Sequence, residues 1–133
     1  MNVAAGPNDP RTEHILNAAF YVHSALGPGL LEAAYEACLE HTLVRRGHRV
    51  VRQAAAPLTF DGLTLDTGYR MDLVVDAAVV VEVKAVERVL PVHAAQLLTY
   101  MKFSGLAVGL LLNFNVVRLV DGITRRILDP ERR

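Results

Sequence analysis

Asp72 and the tripeptide Glu82-Val83-Lys84 are the residues of this chain best suited to do chemistry. They stand in two valine-rich stretches, Tyr69–Val75 and Val79–Lys84. In an extended strand successive side chains face opposite ways, so Glu82 and Lys84 share one face while Val79, Val81 and Val83 share the other. A carboxylate and an ammonium in so apolar a strand are costly to bury without partners. If the two stretches pair as a hairpin, Asp72 meets Glu82 on one face when the loop holds three residues, Asp76-Ala77-Ala78, or an equivalent bulge. A two-residue loop at Asp76-Ala77 sends them to opposite faces. The three-residue register is the one expected. Two carboxylates converging beside a lysine suit magnesium-assisted phosphodiester hydrolysis, because hard oxygens hold Mg²⁺ while it keeps several waters. The ion lowers the pKa of a bound water and neutralises charge on the phosphate. The lysine orients the attacking water or stabilises the transition state. The same spacing also fits a surface Glu-Lys pair beside a capping aspartate.

The elements that must position these residues follow from periodicity. Asp9 caps a helix that begins at Pro10, where a missing N–H costs nothing. Ile15, Ala19, Val22 and Leu26 recur along it at helical spacing, and Gly27-Pro28-Gly29 ends it. A second helix runs from about Leu30 to Arg46, with Leu31, Tyr35, Cys38 and Leu43 along one stripe and Gly47 just past its end. The period then changes to two. Arg49–Gln53 reads as a strand, and Leu58–Leu65 as a tight hairpin on the Asp61-Gly62 signal. Pro91 opens a third helix that closes near Gly105. Ala107–Asn113, Asn115–Val120 and Ile123–Leu128 read as further strands. The sum is an α/β (α+β) domain, a mixed sheet with helices packed on it. Its expected extent is residues 10–128, between a flexible N-terminus at 1–9 and a C-terminal tail at 129–133.

Composition narrows the class. A chain of 133 residues with 52% apolar content can bury a real core in one domain. Cys38 is the only cysteine, which excludes an internal disulfide framework and a cysteine-based zinc site. No apolar run approaches a membrane span, and Met1–Arg11 lacks the features of a signal peptide. A soluble, cytoplasmic protein without membrane attachment is expected. Fourteen basic residues balance fourteen acidic ones, so the chain lacks the overall basic footprint common in nucleic-acid binders. Local clusters remain: Arg45, Arg46, Arg49 and Arg52 in one segment, Arg118, Arg125 and Arg126 in another. Each also reads as ordinary solvated surface.

Asp72 followed by Glu82-Val83-Lys84 on adjacent strands resembles the PD-(D/E)XK nuclease signature, with Met71 where that signature's name has proline. Gly29-Leu30-Leu31-Glu32-Ala33-Ala34-Tyr35 reads as G-x-x-E-x-x-Y, and the chain as a whole resembles the GxxExxY protein family. The resemblance extends through Val22-His23, Leu26-Gly27-Pro28-Gly29, Tyr69–Val75, Glu82–Glu87 and Pro91–Leu98, covering Thr12 to about Val120. It implies a restriction-endonuclease-like core, a nuclease activity and a divalent metal, Mg²⁺ or Mn²⁺. Asp72 and Glu82 would ligate the metal, helped by the Val83 carbonyl, with Lys84 activating water. Related nucleases bring an acidic residue from the first core helix to the metal, a role that falls to Glu32. A charge in the first turn of its helix also suits the helix dipole. Gln96 and Tyr100, four apart on one helix face, resemble the Q-x-x-x-Y element that holds substrate in RecB-like nucleases.

Two residues stay open between site and core. His23 matches a histidine that ligates metal in some RecB-like sites, and a lone histidine on an apolar helix is also an ordinary core residue. Tyr35 reads as a site residue or as a core aromatic with its hydroxyl at the edge. His93 reads as a surface or capping residue. There is no P-loop, GxGxxG or HExxH. The leading expectation is a Mg²⁺- or Mn²⁺-dependent nuclease acting on nucleic acid, DNA first, with sequence specificity from a homodimer or a partner protein. Its rivals are a catalytically idle module of the same fold that binds nucleic acid or protein, and an assembly protein whose acidic cluster is structural.

Overall fold

The computed structural model describes residues 9–66 and 68–129. The expected flexible start and C-terminal tail fall outside these, except for Asp9 and Asp129. Asp9 is buried and caps the first helix, accepting the Arg11 N–H at 2.9 Å. Helix α1 spans Pro10–Leu26 and buries Ile15, Ala19 and Val22, whereas Leu26 at its end is exposed. Gly27 and Gly29 take positive φ of 69° and 102°, open to residues without a Cβ, and turn the chain into helix α2, Glu32–Arg45. Leu31 does not join the apolar stripe of α2. It is the extended N-cap and 81% exposed, so Tyr35, Leu39 and Leu43 carry the packing.

Strand β1, Val50–Ala55, runs two residues further than the sequence pattern suggests. Strands β2, Leu58–Phe60, and β3, Leu63–Leu65, form a separate hairpin on Asp61-Gly62. Then come β4, Arg70–Val75, β5, Val79–Lys84, helix α3, Pro91–Ser104, β6, Val108–Asn113, and β7, Ile123–Ile127. The five-stranded sheet has the order β1-β4-β5-β6-β7, and only β5 and β6 run parallel, joined through α3 as parallel neighbours require. The strand expected at Asn115–Val120 is absent; the segment bends and closes in a 3₁₀ turn at Leu119–Gly122. Both edges of β6 are already occupied, by β5 and β7, so a further strand has nothing to pair with there. The segment must instead reverse the chain, and Gly122 sits so tightly that a Cβ would lie 2.1 Å from the Asn113 carbonyl oxygen.

The sheet is buried on both faces. Helices α1 and α2 pack Ile15, Val22, Tyr35 and Leu39 against Leu73, Val75, Val81 and Leu110. Helix α3 packs Leu97, Tyr100 and Met101 against Val74, Val80 and Leu111 on the other side. Such two-sided burial explains why β5 reads as a continuous valine run and not as a clean alternation.

The β4–β5 register decides where the chemistry falls. Val75 pairs with Val79, Val74 with Val80 and Leu73 with Val81, leaving Asp76-Ala77-Ala78 as a three-residue connection. Asp76 and Ala77 have φ of 55° and 51°, a left-handed pair that Asp tolerates better than most residues. Asp76 is tied to the entry of β1: its Oδ1 accepts the Arg49 N–H at 2.9 Å, and its Oδ2 meets His48 Nδ1 at 2.8 Å. Asp76→Ala should therefore lower unfolding stability by about 1–2 kcal/mol, the scale of charge-assisted hydrogen bonds partly screened by solvent. Urea midpoints of the two proteins measure this; an unchanged midpoint would show that the turn holds without its anchor.

Candidate active site

Leu73 and Val81 form the last rung before the pairing changes character. One step on, the Asp72 N–H donates to Glu82 Oε2 at 2.8 Å, and the Val83 N–H donates to Asp72 Oδ2 at 2.8 Å. Each strand thus caps a backbone donor of the other with a carboxylate. The exchange brings two acidic side chains together where the sheet opens, and only the three-residue connection allows it. Glu82 is 4% exposed, and its pKa is pushed up to about 8, first by burial and then by the negative charge of Asp72. The Asp72 N–H and the Lys84 ammonium act in the opposite direction.

A third carboxylate joins from α2, and it is Glu36. Glu36 is buried, with Arg52 Nε donating to its Oε2 at 2.7 Å and Gln53 Nε2 to its Oε1 at 2.7 Å. The same Gln53 amide reaches Asp72 Oδ1 at 3.3 Å. Burial raises the pKa of Glu36, Arg52 opposes, and the charge of Asp72 raises it further. Consecutive residues of a regular strand face opposite ways, yet Arg52 and Gln53 both reach Glu36. Gln53 makes this possible by taking φ 55°, a left-handed conformation rare for a residue of its kind.

Lys84 ends β5, half-buried, and forms no ion pair among the described residues. Its backbone is well fixed: the Phe114 N–H donates to the Lys84 carbonyl at 2.9 Å. Beyond it, the buried Asn113 side chain accepts from the Val86 N–H at 3.1 Å and donates to the Val86 carbonyl at 2.9 Å. Tyr100 on α3 is buried beside the carboxylates; burial, then the charges of Glu82 and Asp72, raise the pKa of its phenol. Gln96, one turn earlier on the same helix, is exposed.

The other residues singled out from the sequence form no hydrogen bond or ion pair with Asp72, Glu82 or Glu36 among the described residues. Glu32 is exposed in the first turn of α2, one turn before Glu36. His23 is buried with Nε2 2.8 Å from the Val116 carbonyl oxygen and its ring tilted against Phe114, the setting of a core histidine. Tyr35 is fully buried and stacked on Phe114 at 4.7 Å between centroids. Its hydroxyl donates to the Gly27 carbonyl at 2.5 Å and accepts from the Leu30 N–H at 3.1 Å. The G-x-x-E-x-x-Y tyrosine therefore locks the glycine turn between α1 and α2. His93 accepts the Leu90 N–H through Nδ1 at 2.9 Å and caps α3.

The family model of the PD-(D/E)XK nuclease superfamily matches residues 9–126, and the chain belongs to that superfamily. No curated protein and no solved structure matches the chain. The three helices and the mixed five-stranded sheet with one parallel pair are those of a restriction-endonuclease-like α/β core. Superfamily members generally use divalent metals and act on nucleic acid. Among the described residues no helix is long and apolar enough to cross a membrane.

The donor set fits a hard divalent cation. Asp72, Glu82 and Glu36 supply only oxygens; burial first, and then the negative charge of Asp72, raises the pKa of Glu36 and Glu82, a penalty that a cation relieves. No three of Asp, Glu, His and Cys form a ready cage among the described residues. That is compatible with Mg²⁺, which takes one or two carboxylates and fills its shell with water. The raised pKa of Glu82 has a stability consequence whose sign is fixed. Between its ordinary 4.5 and about 8 the folded chain holds a proton that the unfolded chain has lost. Stability from this group is full below the lower value and falls as pH rises through the upper one. In EDTA, urea midpoints of the wild type should decline across that window, and Glu82→Gln should decline less. Equal slopes would place Glu82 outside the cause.

Proposed function

We propose that this chain is a Mg²⁺- or Mn²⁺-dependent nuclease of the GxxExxY type, hydrolysing phosphodiester bonds of nucleic acid, DNA first. The observation that carries this reading is the reciprocal capping of Asp72 and Glu82, beside a Lys84 that forms no ion pair among the described residues, in a chain of this superfamily. Asp72 and Glu82 would hold the ion, with the Val83 carbonyl and Glu36 completing or orienting its shell. Glu36 takes the part that the family resemblance implies for Glu32, because Gln53 links it to Asp72. When bound, the ion would supply a water of lowered pKa and neutralise charge on the phosphate.

The chain's own residues divide the remaining work. Lys84 presents a cation to the scissile phosphate, orients the attacking water and stabilises charge that develops in the transition state. Tyr100 offers a phenol beside the carboxylates, and Gln96 an exposed amide one turn earlier on the same helix, and both would support substrate. Tyr35 and His23 serve the fold and take no part in the reaction.

A catalytically idle module that binds nucleic acid or protein is the second reading. It draws on one observation: both close carboxylate–amide contacts already satisfy Asp72 and Glu82 without an ion. Cleavage of supercoiled plasmid and of single-stranded oligonucleotide at low salt, with Mg²⁺ or Mn²⁺, separates the two. Asp72→Asn, Glu82→Gln and Lys84→Met should each lose on the order of 100-fold in rate, as removal of one electrostatic stabiliser does. Tyr35→Phe should cleave normally below its unfolding temperature. Absence of cleavage by the wild type with retained binding of nucleic acid would favour the idle module. Cleavage that survives Asp72→Asn and Lys84→Met would overturn the site assignment.

A further inference from the structure

No sequence pattern explains Gln53, and its geometry is unusual in two ways. Its backbone is left-handed in the middle of β1, opposite Asp72, between the paired positions Arg52↔Leu73 and Ala54↔Met71. Its amide nitrogen lies 2.7 Å from Glu36 Oε1 and 3.3 Å from Asp72 Oδ1. One donor group therefore sits between oxygens of two carboxylates that repel each other.

We infer that the Gln53 amide is a built-in stand-in for the cation, holding Glu36 and Asp72 in place and yielding its position when a divalent ion binds. This rests on the cation reading of the site. Three features support it. The amide offers two N–H donors and so serves both carboxylates at once, as a cation does. The oxygens it engages leave Asp72 Oδ2 on the Val83 N–H, so the strand pairing survives its departure. Gln53 is exposed, and water can replace its hydrogen bonds when it swings out. Arg52 keeps its own contact with Glu36 Oε2, so the helix acid stays anchored meanwhile.

A stand-in competes with the ion, which separates this role from ordinary structural support. Support lost on substitution would weaken cation binding; a competitor lost would strengthen it. Calorimetric titration with Mn²⁺ tests this on wild type, Gln53→Gly and Gln53→Ala. The glycine variant suits the left-handed backbone, and the alanine variant removes only the amide. Both should bind Mn²⁺ about three- to tenfold more tightly, the worth of one hydrogen bond removed from the competing state. Adding Glu36→Gln to Gln53→Gly should abolish the gain. On the wild type, Mg²⁺ titrated against ¹⁵N-labelled protein should move the Gln53 side-chain amide resonance toward that of a solvent-exposed amide, whatever the variants' stability. Unchanged or weaker binding in both variants, or an amide resonance that does not move as Mg²⁺ saturates, would overturn the inference. Mn²⁺ binding that Asp72→Asn abolishes but Gln53 variants do not improve would overturn it alone. No binding by any protein would overturn the cation reading with it.

Discussion

The site depends on forcing two carboxylates, Asp72 and Glu82, onto one face of two neighbouring strands. Like charges at this distance and burial are unfavourable, and the fold accepts the cost by letting each carboxylate accept a backbone N–H of the other strand. The arrangement exists only because three residues join the strands, and those three are held by Asp76 through its contacts to His48 and Arg49. A one-residue change in the connection would send Glu82 to the opposite face, against the core of α1 and α2. The placement of the two carboxylates is thus set by a turn some distance along the hairpin from them.

The surrounding elements read as supports for this tension. Arg52 and Gln53 converge on Glu36 because one strand residue abandons its regular conformation. Asn113 and the Phe114 N–H fix the backbone on either side of the exit from Lys84. Tyr35 ties the glycine turn so that α2 presents Glu36 to the sheet at a fixed angle. Local strain and unfavourable charge proximity gathered at one end of a well-packed sheet are characteristic of sites prepared for a ligand.

Much of this was legible in the sequence, for identifiable reasons. Side chains of an extended strand alternate faces with a period of two, so the shared face of Asp72 and Glu82 followed once the loop length was chosen. The hairpin on Asp61-Gly62 and the ends of α1 and α3 carry local signals in Asp, Pro and Gly. Glu36 escaped because Glu32, Glu36 and Glu40 stand four apart on one helix face, and spacing alone does not tell which turn abuts the sheet. Burial chose Glu36, whereas Glu32 stays exposed. Gln53 escaped because a left-handed glutamine has no sequence signature. Asn115–Val120 misled in the opposite sense: its valines favour a strand, but the sheet has no free edge on β6 for one to occupy.

The proposed function requires Asp72, Glu82 and Glu36 to form one cation site. Anomalous diffraction from crystals soaked in Mn²⁺ tests it most directly. A Mn²⁺ peak is expected within about 2.0–2.6 Å of oxygens of both Asp72 and Glu82, with Gln53 turned away from Glu36. Strong peaks found only at other carboxylates, such as Glu32, with this cluster unchanged, would contradict it.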